Sequence, residues 1–134
     1  MFQKFFAVVG ISLSLCSLNG FAQSSEMYLE ETVGAGTPIN LAANETKVIG
    51  NAFTCTMHIN CDMTCENDVT NIIHFTILNR GGSLNGQPVN KGDSMNVEIR
   101  TGDKLSIMAK PASRVELKNI GSTKISSMCL ITCK

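Results

Sequence analysis

Cysteine is the residue type in this sequence with the widest chemical range, and its positions are clustered. The chain of 134 residues contains six cysteines. Cys55, Cys61 and Cys65 lie within one short segment, and Cys129 and Cys133 lie close to the C-terminus. Cysteines act as nucleophiles or metal ligands when they are reduced, and as covalent cross-links when they are oxidised. The compartment in which the protein works therefore determines which chemistry these residues can perform.

The N-terminal segment predicts export to an oxidising compartment. Lys4 precedes an apolar run, and small residues precede a cleavage site after Ala22, which is the organisation of a secretory signal peptide. We expect residues 1–22 to be removed and residues 23–134 to form a single domain in the periplasm or outside the cell, with residues 23–26 as a flexible tail. No later segment approaches the roughly 20 apolar residues of a membrane-spanning helix, so we expect no membrane insertion.

A competing interpretation of the same segment is a lipoprotein signal in which Cys16 is lipidated. Leu15 stands where such signals carry a small residue. The sequence therefore favours cleavage after Ala22, which removes Cys16 from the mature chain.

Five cysteines remain after the predicted cleavage, and export predicts that they form disulfides. Cys129 and Cys133 lie on one alternating segment, about 13 Å apart at ~3.3 Å per residue, which exceeds the ~7 Å limit between bridged Cα atoms. Each must therefore pair with Cys55, Cys61 or Cys65, or stay reduced. Cys61 and Cys65 could instead close a local loop. The odd number leaves one cysteine free or available for an intermolecular disulfide.

The hydrophobic pattern predicts an all-β protein. Residues 53–61 and 125–133 alternate between apolar and polar positions, and shorter alternating runs recur about every ten residues between Gly, Asp, Asn and Pro. Asn85-Gly86 predicts a tight hairpin turn. Residues 62–69 read as a loop, and Gly50-Asn51 as a bulge within a longer strand. We expect a disulfide-stabilised antiparallel β-sandwich of roughly seven to nine short strands.

Charge is unevenly distributed along the mature chain although its total is small. Without Lys4, ten Lys and Arg face eleven Asp and Glu, a net charge of −1 that gives no reason to expect binding to nucleic acid or anionic membrane. Residues 23–68 carry seven acids and one base, whereas residues 69–134 carry nine bases and four acids. Either the two halves attract each other within one fold, or the surface is dipolar and has a basic face for a partner.

The basic residues of the second half suggest where such a face would lie. They alternate with the apolar positions of the strands predicted between Met95 and Leu117, which places them on the outer side of a sheet. The candidate binding face consists of Arg100, Lys104, Lys110, Arg114 and Lys118. This face either binds another protein, or is solvated and offsets the acidic half of the chain.

Two copper sites are conceivable from the spacing of sulfur and nitrogen ligands. The segment from Cys55 through His58 to Met63 resembles the ligand loop of plastocyanin-like cupredoxins, but alternation places Cys55 and His58 on opposite faces of a strand. A looser Cu(I) site could draw on Met57, Met63, Met128, Cys61 and Cys65, provided that the cysteines stay reduced. The acids Asp62, Glu66 and Asp68 match no calcium-loop spacing.

Catalytic motifs are missing from the sequence. It contains no Gly-x-Ser-x-Gly elbow, no phosphate-binding glycine loop and no Cys-x-x-Cys pair. We therefore expect a non-enzymatic protein without a cofactor, which serves as an exported interaction or accessory protein and binds another protein through a sheet face. The alternative is an exported soft-metal protein that binds copper.

Overall fold

The computed structural model describes residues 24–28 and 36–133, and these residues are built mainly of β-strands. The predicted signal peptide, residues 1–22, lies outside the described residues. The strands are β1 (Ser24–Tyr28), β2 (Gly36–Leu41), β3 (Thr46–Gly50), β4 (Met57–Cys65), β5 (Asn71–Asn79), β6 (Gly81–Leu84), β7 (Gln87–Asn90), β8 (Ser94–Ile99), β9 (Lys104–Ala109), β10 (Arg114–Asn119) and β11 (Ile125–Cys133). A short 3-10 turn, Glu66–Asp68, follows β4.

The strands form two sheets that pack face to face. Sheet A has six strands in the order β2-β11-β4-β9-β6-β7, and sheet B has five in the order β1-β3-β10-β5-β8. All neighbours are antiparallel except β1 and β3, which run parallel. The predicted antiparallel β-sandwich is confirmed, although the described ranges contain eleven strands rather than seven to nine. The additional strands are short pieces at or near the sheet edges, for which the sequence offers only weak alternation.

The structure describes three of the four residues of the predicted flexible tail, and Gln23 lies outside the described residues. Ser24 to Glu26 belong to β1, where they pair in parallel with Thr46 to Val48 of β3. An edge strand of this kind is held by main-chain hydrogen bonds and carries little side-chain pattern, so composition alone predicted a tail.

One hydrophobic core fills the space between the sheets. Burial alternates along β4 and β11, so every second side chain of these long strands enters the core. The most completely buried side chains come from both sheets and include Met57, Ile131, Phe75 and Ile73. Alternation over nine residues in each strand therefore fixes which face of sheet A is internal. The sequence predicted this alternation for all of β11 and for Met57 to Cys61 of β4.

β4 begins and ends later in the chain than the sequence predicted. Residues 51–56 form a loop that carries the chain from sheet B to sheet A, so Gly50-Asn51 ends a strand instead of forming a bulge. Asp62 to Cys65, predicted as part of a loop, continue β4 and pair with β11. Their alternating burial shows that Met63 and Cys65 belong to the core. The polar residues next to them in sequence had led to the prediction of a loop.

The Asn85-Gly86 prediction is confirmed. Leu84 and Gln87 pair across the turn, and Asn85 and Gly86 have φ of 49° and 84°, the left-handed values that a two-residue hairpin turn of this type needs. Gly82 on β6 has a different role, because a Cβ atom there would lie 1.8 Å from the Met108 carbonyl oxygen. This glycine allows β6 and β9 to approach.

Two disulfides join β11 to the loop before β4 and to the middle of β4. Cys61 and Cys129 face each other across the β4–β11 pair with Cα atoms 4.0 Å apart, and Cys55 and Cys133 are bridged with Cα atoms 5.8 Å apart. Cys65 is a buried free thiol. The predicted covalent link between the C-terminal cysteines and the segment from Cys55 to Cys65 is confirmed.

These cross-links are consistent with an oxidising periplasmic or extracellular location. Within residues 24–28 and 36–133, no helix has the length and apolar character to cross a membrane.

Candidate functional site

The five basic residues of the predicted binding face do not lie on one face. β10, which carries Arg114 and Lys118, belongs to sheet B, whereas β9, which begins at Lys104, belongs to sheet A. Arg100 and Lys110 lie in the connections before and after β9. The hypothesis of a single basic sheet face is therefore wrong. Consecutive strands with similar alternation were expected in one sheet, whereas β9 and β10 belong to different sheets.

Two of these residues lie at one end of the sandwich and are paired with acids there. An Arg100 Nη2 atom lies 2.7 Å from Glu98 Oε1, and Lys104 forms an ion pair with Asp62. All four side chains are more than half exposed, so each pair contributes little to stability. This end of the molecule therefore presents mixed charge.

Lys110 and Arg114 lie at the opposite end, together with a base that the sequence analysis did not select. Arg80 forms the corner between β5 and β6, and its neighbour Gly81 accepts a hydrogen bond from the Lys110 main-chain N at 3.0 Å. Arg114 is paired in register with Asn79, the residue before Arg80. The sequence did not predict Arg80 as a site residue, because it lies in a turn, where side chains do not alternate between two faces.

A fourth base completes this group. Lys91 lies in the turn between β7 and β8, and the next residue, Gly92, donates its main-chain N–H to the Ile77 carbonyl near the same end of β5 at 2.8 Å. We call this region, with its four bases Arg80, Lys91, Lys110 and Arg114, the basic end. Among the described residues of its turns, Asp93 supplies a carboxylate, which accepts the Asn90 N–H at 2.8 Å and so closes the turn.

A groove of about 540 Å³ opens at the basic end. One wall is the loop of residues 51–54 and the other is the loop of residues 111–114, with Asn79 beside them. Phe53 and Pro111 are half-buried and give the groove apolar surface, and Arg114 contributes a cation. The groove combines an aromatic ring, a guanidinium group and an amide, which are the groups enriched where proteins bind ligands or other proteins.

The first wall of the groove is held by the buried side chain of Asn51. Its Nδ2 atom lies 2.9 Å from the Cys55 carbonyl oxygen and 3.0 Å from that of Ala109, and its Oδ1 accepts the Phe53 N–H at 2.9 Å. The Cys55–Cys133 disulfide ties the same loop to the end of β11. Phe53 is therefore presented by a fixed loop, although it lies outside regular structure.

The second wall is fixed in a similar way. Asn79 donates its side-chain N–H to the Ala112 carbonyl at 2.8 Å, and the buried Ser113 hydroxyl donates to the Gly81 carbonyl at 2.7 Å. The main-chain N–H of Ala112 also donates to the Asn51 carbonyl at 3.1 Å, which joins the two walls. The groove is thus formed before any ligand arrives, which lowers the entropic cost of binding.

Backbone strain is concentrated at this end. In the described ranges, six residues other than glycine have φ in the left-handed region, and four of these are Asn or Asp, which tolerate it. The other two are Arg80 and Ala112, with φ of 55° and 64°. Such a conformation costs on the order of 1 kcal/mol for an ordinary residue and persists at positions where the surrounding structure imposes it.

The candidate copper ligands are not brought together. Met57 and Met63 lie in the core, Met128 is exposed on the outer face of sheet A, and Cys61 is consumed by its disulfide. Cys55, the thiolate of the cupredoxin-like segment, is also oxidised. Within the part of the chain that the structure describes, no group of three or more His, Cys, Asp or Glu could hold a metal ion.

A second cavity, of about 30 Å³, lies between the sheets near Met57, Phe75 and Ile107. It has room for no more than about two water molecules and its walls are apolar, so it is a packing void. The groove at the basic end is much larger and has the volume of a ligand site.

No protein-family model and no curated protein matches this chain. Function must therefore be inferred from the groups at the groove.

Proposed function

We propose that this chain is an exported, non-enzymatic interaction or accessory protein that binds another protein through the groove at its basic end. Export is supported by the signal-peptide pattern of residues 1–22 and by the two disulfides, which are stable in an oxidising compartment. The binding surface lies at an end of the sandwich instead of on a sheet face, because Arg114 lines the groove there and Arg80 and Lys110 adjoin its lining residues in sequence.

The observation that carries the proposal is the convergence of Phe53, Arg114 and Asn79 in a groove whose two walls are fixed by hydrogen bonds. Aromatic and arginine side chains dominate binding energy at protein interfaces, especially in preformed sites with apolar surface. The chain around the groove also adopts left-handed conformations at Arg80 and Ala112, and strained conformations of this kind are often found at binding sites. Loops carried on a rigid β-scaffold are a common location for binding sites.

The proposal is tested by capture of partners from the native compartment with the mature protein as bait. The Arg80→Glu/Lys110→Glu variant reverses two exposed charges beside the groove and should reduce capture of the partner at least tenfold. The matched control is Arg100→Glu/Lys124→Glu, which changes net charge equally at two exposed bases away from the groove. Exposed charges contribute little to folding, so both variants should keep the native melting temperature.

Equal loss of capture in both variants would mean that net charge, and not the groove, governs association. Unchanged capture in the Arg80→Glu/Lys110→Glu variant would reject the groove as the binding site.

A further inference from the structure

We infer that the groove receives an extended acidic polypeptide segment, with an apolar side chain against Phe53 and carboxylates facing the surrounding bases. This inference rests on the proposed function and names the partner's chemistry. The charge of the basic end favours carboxylates, and the apolar surface of the groove favours an apolar side chain, so one ligand must carry both groups.

The charge of the basic end selects an anionic ligand. Its turns carry Arg80, Lys91 and Lys110, all of which are exposed. The one described carboxylate of these turns, Asp93, is engaged by the Asn90 N–H. The Arg100–Glu98 and Lys104–Asp62 ion pairs lie at the other end of the sandwich. Carboxylates brought to the three exposed bases would therefore meet cations without displacing either of these ion pairs.

The apolar surface of the groove selects against a purely ionic ligand. Phe53 is half-buried and packs against the core, and Ala52, Pro111 and Ala112 line the groove beside it. A bare phosphate or carboxylate would leave this surface in water. An apolar side chain placed there removes apolar area from water at about 25 cal/mol per Å².

The distribution of bases favours a polypeptide over a nucleic acid. A single strand of nucleic acid is usually bound along a continuous positive groove with several aromatic rings on which bases stack. Here Arg80, Lys91, Lys110 and Arg114 form a cluster at one end instead of a continuous stripe. Phe53 is the aromatic residue of the groove, and the mature chain has a net charge of −1. The groove has the volume of a ligand site for a few residues, in the range of roughly 300–1,000 Å³.

The experiment is a titration of ¹⁵N-labelled mature protein, with its disulfides intact, with a short peptide in which glutamates flank a central phenylalanine. We expect chemical-shift changes confined to residues 51–54, 79–81 and 110–114, and an affinity that falls as salt is added. A peptide with glutamines in place of the glutamates, and one with glycine in place of the phenylalanine, should each bind at least tenfold more weakly. Phe53→Ala should weaken binding of the first peptide by a similar factor.

Several results would overturn the inference. These are an absence of shifts at millimolar peptide, shifts centred on Arg100 and Lys104, equal binding of the glutamine peptide, and tighter binding of a single-stranded oligonucleotide. Glu30 and Glu31 lie outside the described residues, and a large gain in peptide affinity for Glu30→Gln/Glu31→Gln would assign the groove to the chain's own acidic segment.

The inference and the proposed function fail in different ways. If the native partner is captured through the groove but the acidic peptide does not bind, the partner chemistry is wrong and the groove remains the binding site. If the peptide binds but reversal of Arg80 and Lys110 leaves partner capture intact, the proposed function is wrong.

Discussion

The two disulfides occupy different environments although they link the same pair of segments. Cys61 and Cys129 are 5% and 1% exposed and lie between the sheets. Cys55 and Cys133 are only half-buried, and they join the loop of residues 51–56 to the end of β11. A thiolate must reach a disulfide sulfur to reduce it, so burial protects the first bond and not the second. Cys65 is protected as well, since its Sγ lies in the core 3.4 Å from the Ile99 carbonyl.

We predict that Cys55–Cys133 is reduced in the folded protein under conditions that leave Cys61–Cys129 intact. Treatment with low concentrations of dithiothreitol, alkylation without denaturant and peptide mapping should label Cys55 and Cys133 alone. Denaturation before alkylation is the control, and it should label all five cysteines of the mature chain once both bonds are reduced. Simultaneous reduction of both bonds, or early labelling of Cys65, would contradict the difference in access.

At the level of elements, β6 depends on glycine for packing. Gly82 lies on β6 between β9 and β7 in sheet A, where an added Cβ would lie 1.8 Å from the Met108 carbonyl oxygen. The obstacle is main chain, so it cannot be relieved by a side-chain rotation. At Gly86, in the adjoining turn, an added Cβ would have no atom within 4 Å, so glycine is needed there only for its φ of 84°.

Alanine substitution should therefore distinguish the steric requirement for glycine at position 82 from the requirement for a left-handed backbone at position 86. We expect Gly82→Ala to lower the free energy of unfolding by about 3 kcal/mol, because β6 and β9 must move apart. Gly86→Ala should cost only about 1 kcal/mol, the penalty of the left-handed conformation. Urea unfolding of both variants measures the difference, and equal losses would show that sheet A tolerates the displacement of β6.

At the level of the whole molecule, the acidic and basic halves of the sequence are interleaved. β2 and β4, from the acidic half, pair with β11 and β9, from the basic half, within sheet A. Lys104 and Asp62 form an ion pair across one of these junctions. Attraction between the halves therefore operates locally, and the bases of the basic end remain as a separate cluster.

Like charges placed together do not stabilise a fold, so we expect the exposed bases of the basic end to be dispensable for stability. Arg80→Gln/Lys110→Gln should leave the free energy of unfolding unchanged within about 0.5 kcal/mol, or raise it slightly in low salt. The control, Lys104→Gln/Lys124→Gln, removes two exposed bases and one exposed ion pair and should lose no more than about 1 kcal/mol. A loss above about 1 kcal/mol in the first variant would mean that these bases support the fold, and would remove the argument that they serve binding.

The features predictable from the sequence were those that depend on local periodicity. Alternation identified the strands that become β4 and β11 and their inner faces, and Asn85-Gly86 identified the hairpin because that turn needs left-handed backbone at both positions. Strand geometry also excluded a Cys129–Cys133 bond. The same geometry excludes Cys61–Cys65 because β4 continues to Cys65, so the sequence left this pairing open only because the end of the strand was misplaced.

The sequence by itself thus determined the all-β class and the covalent link of the last strand to the segment around Cys55 and Cys61. Tertiary structure alone decided which thiol stays free and which bases meet. Neighbouring strands in sequence, such as β9 and β10, can join different sheets, and that choice depends on pairing with strands far away in the chain. Lys110, Arg114 and Arg80 therefore come together through turns, whose positions in space are fixed only when both sheets have formed.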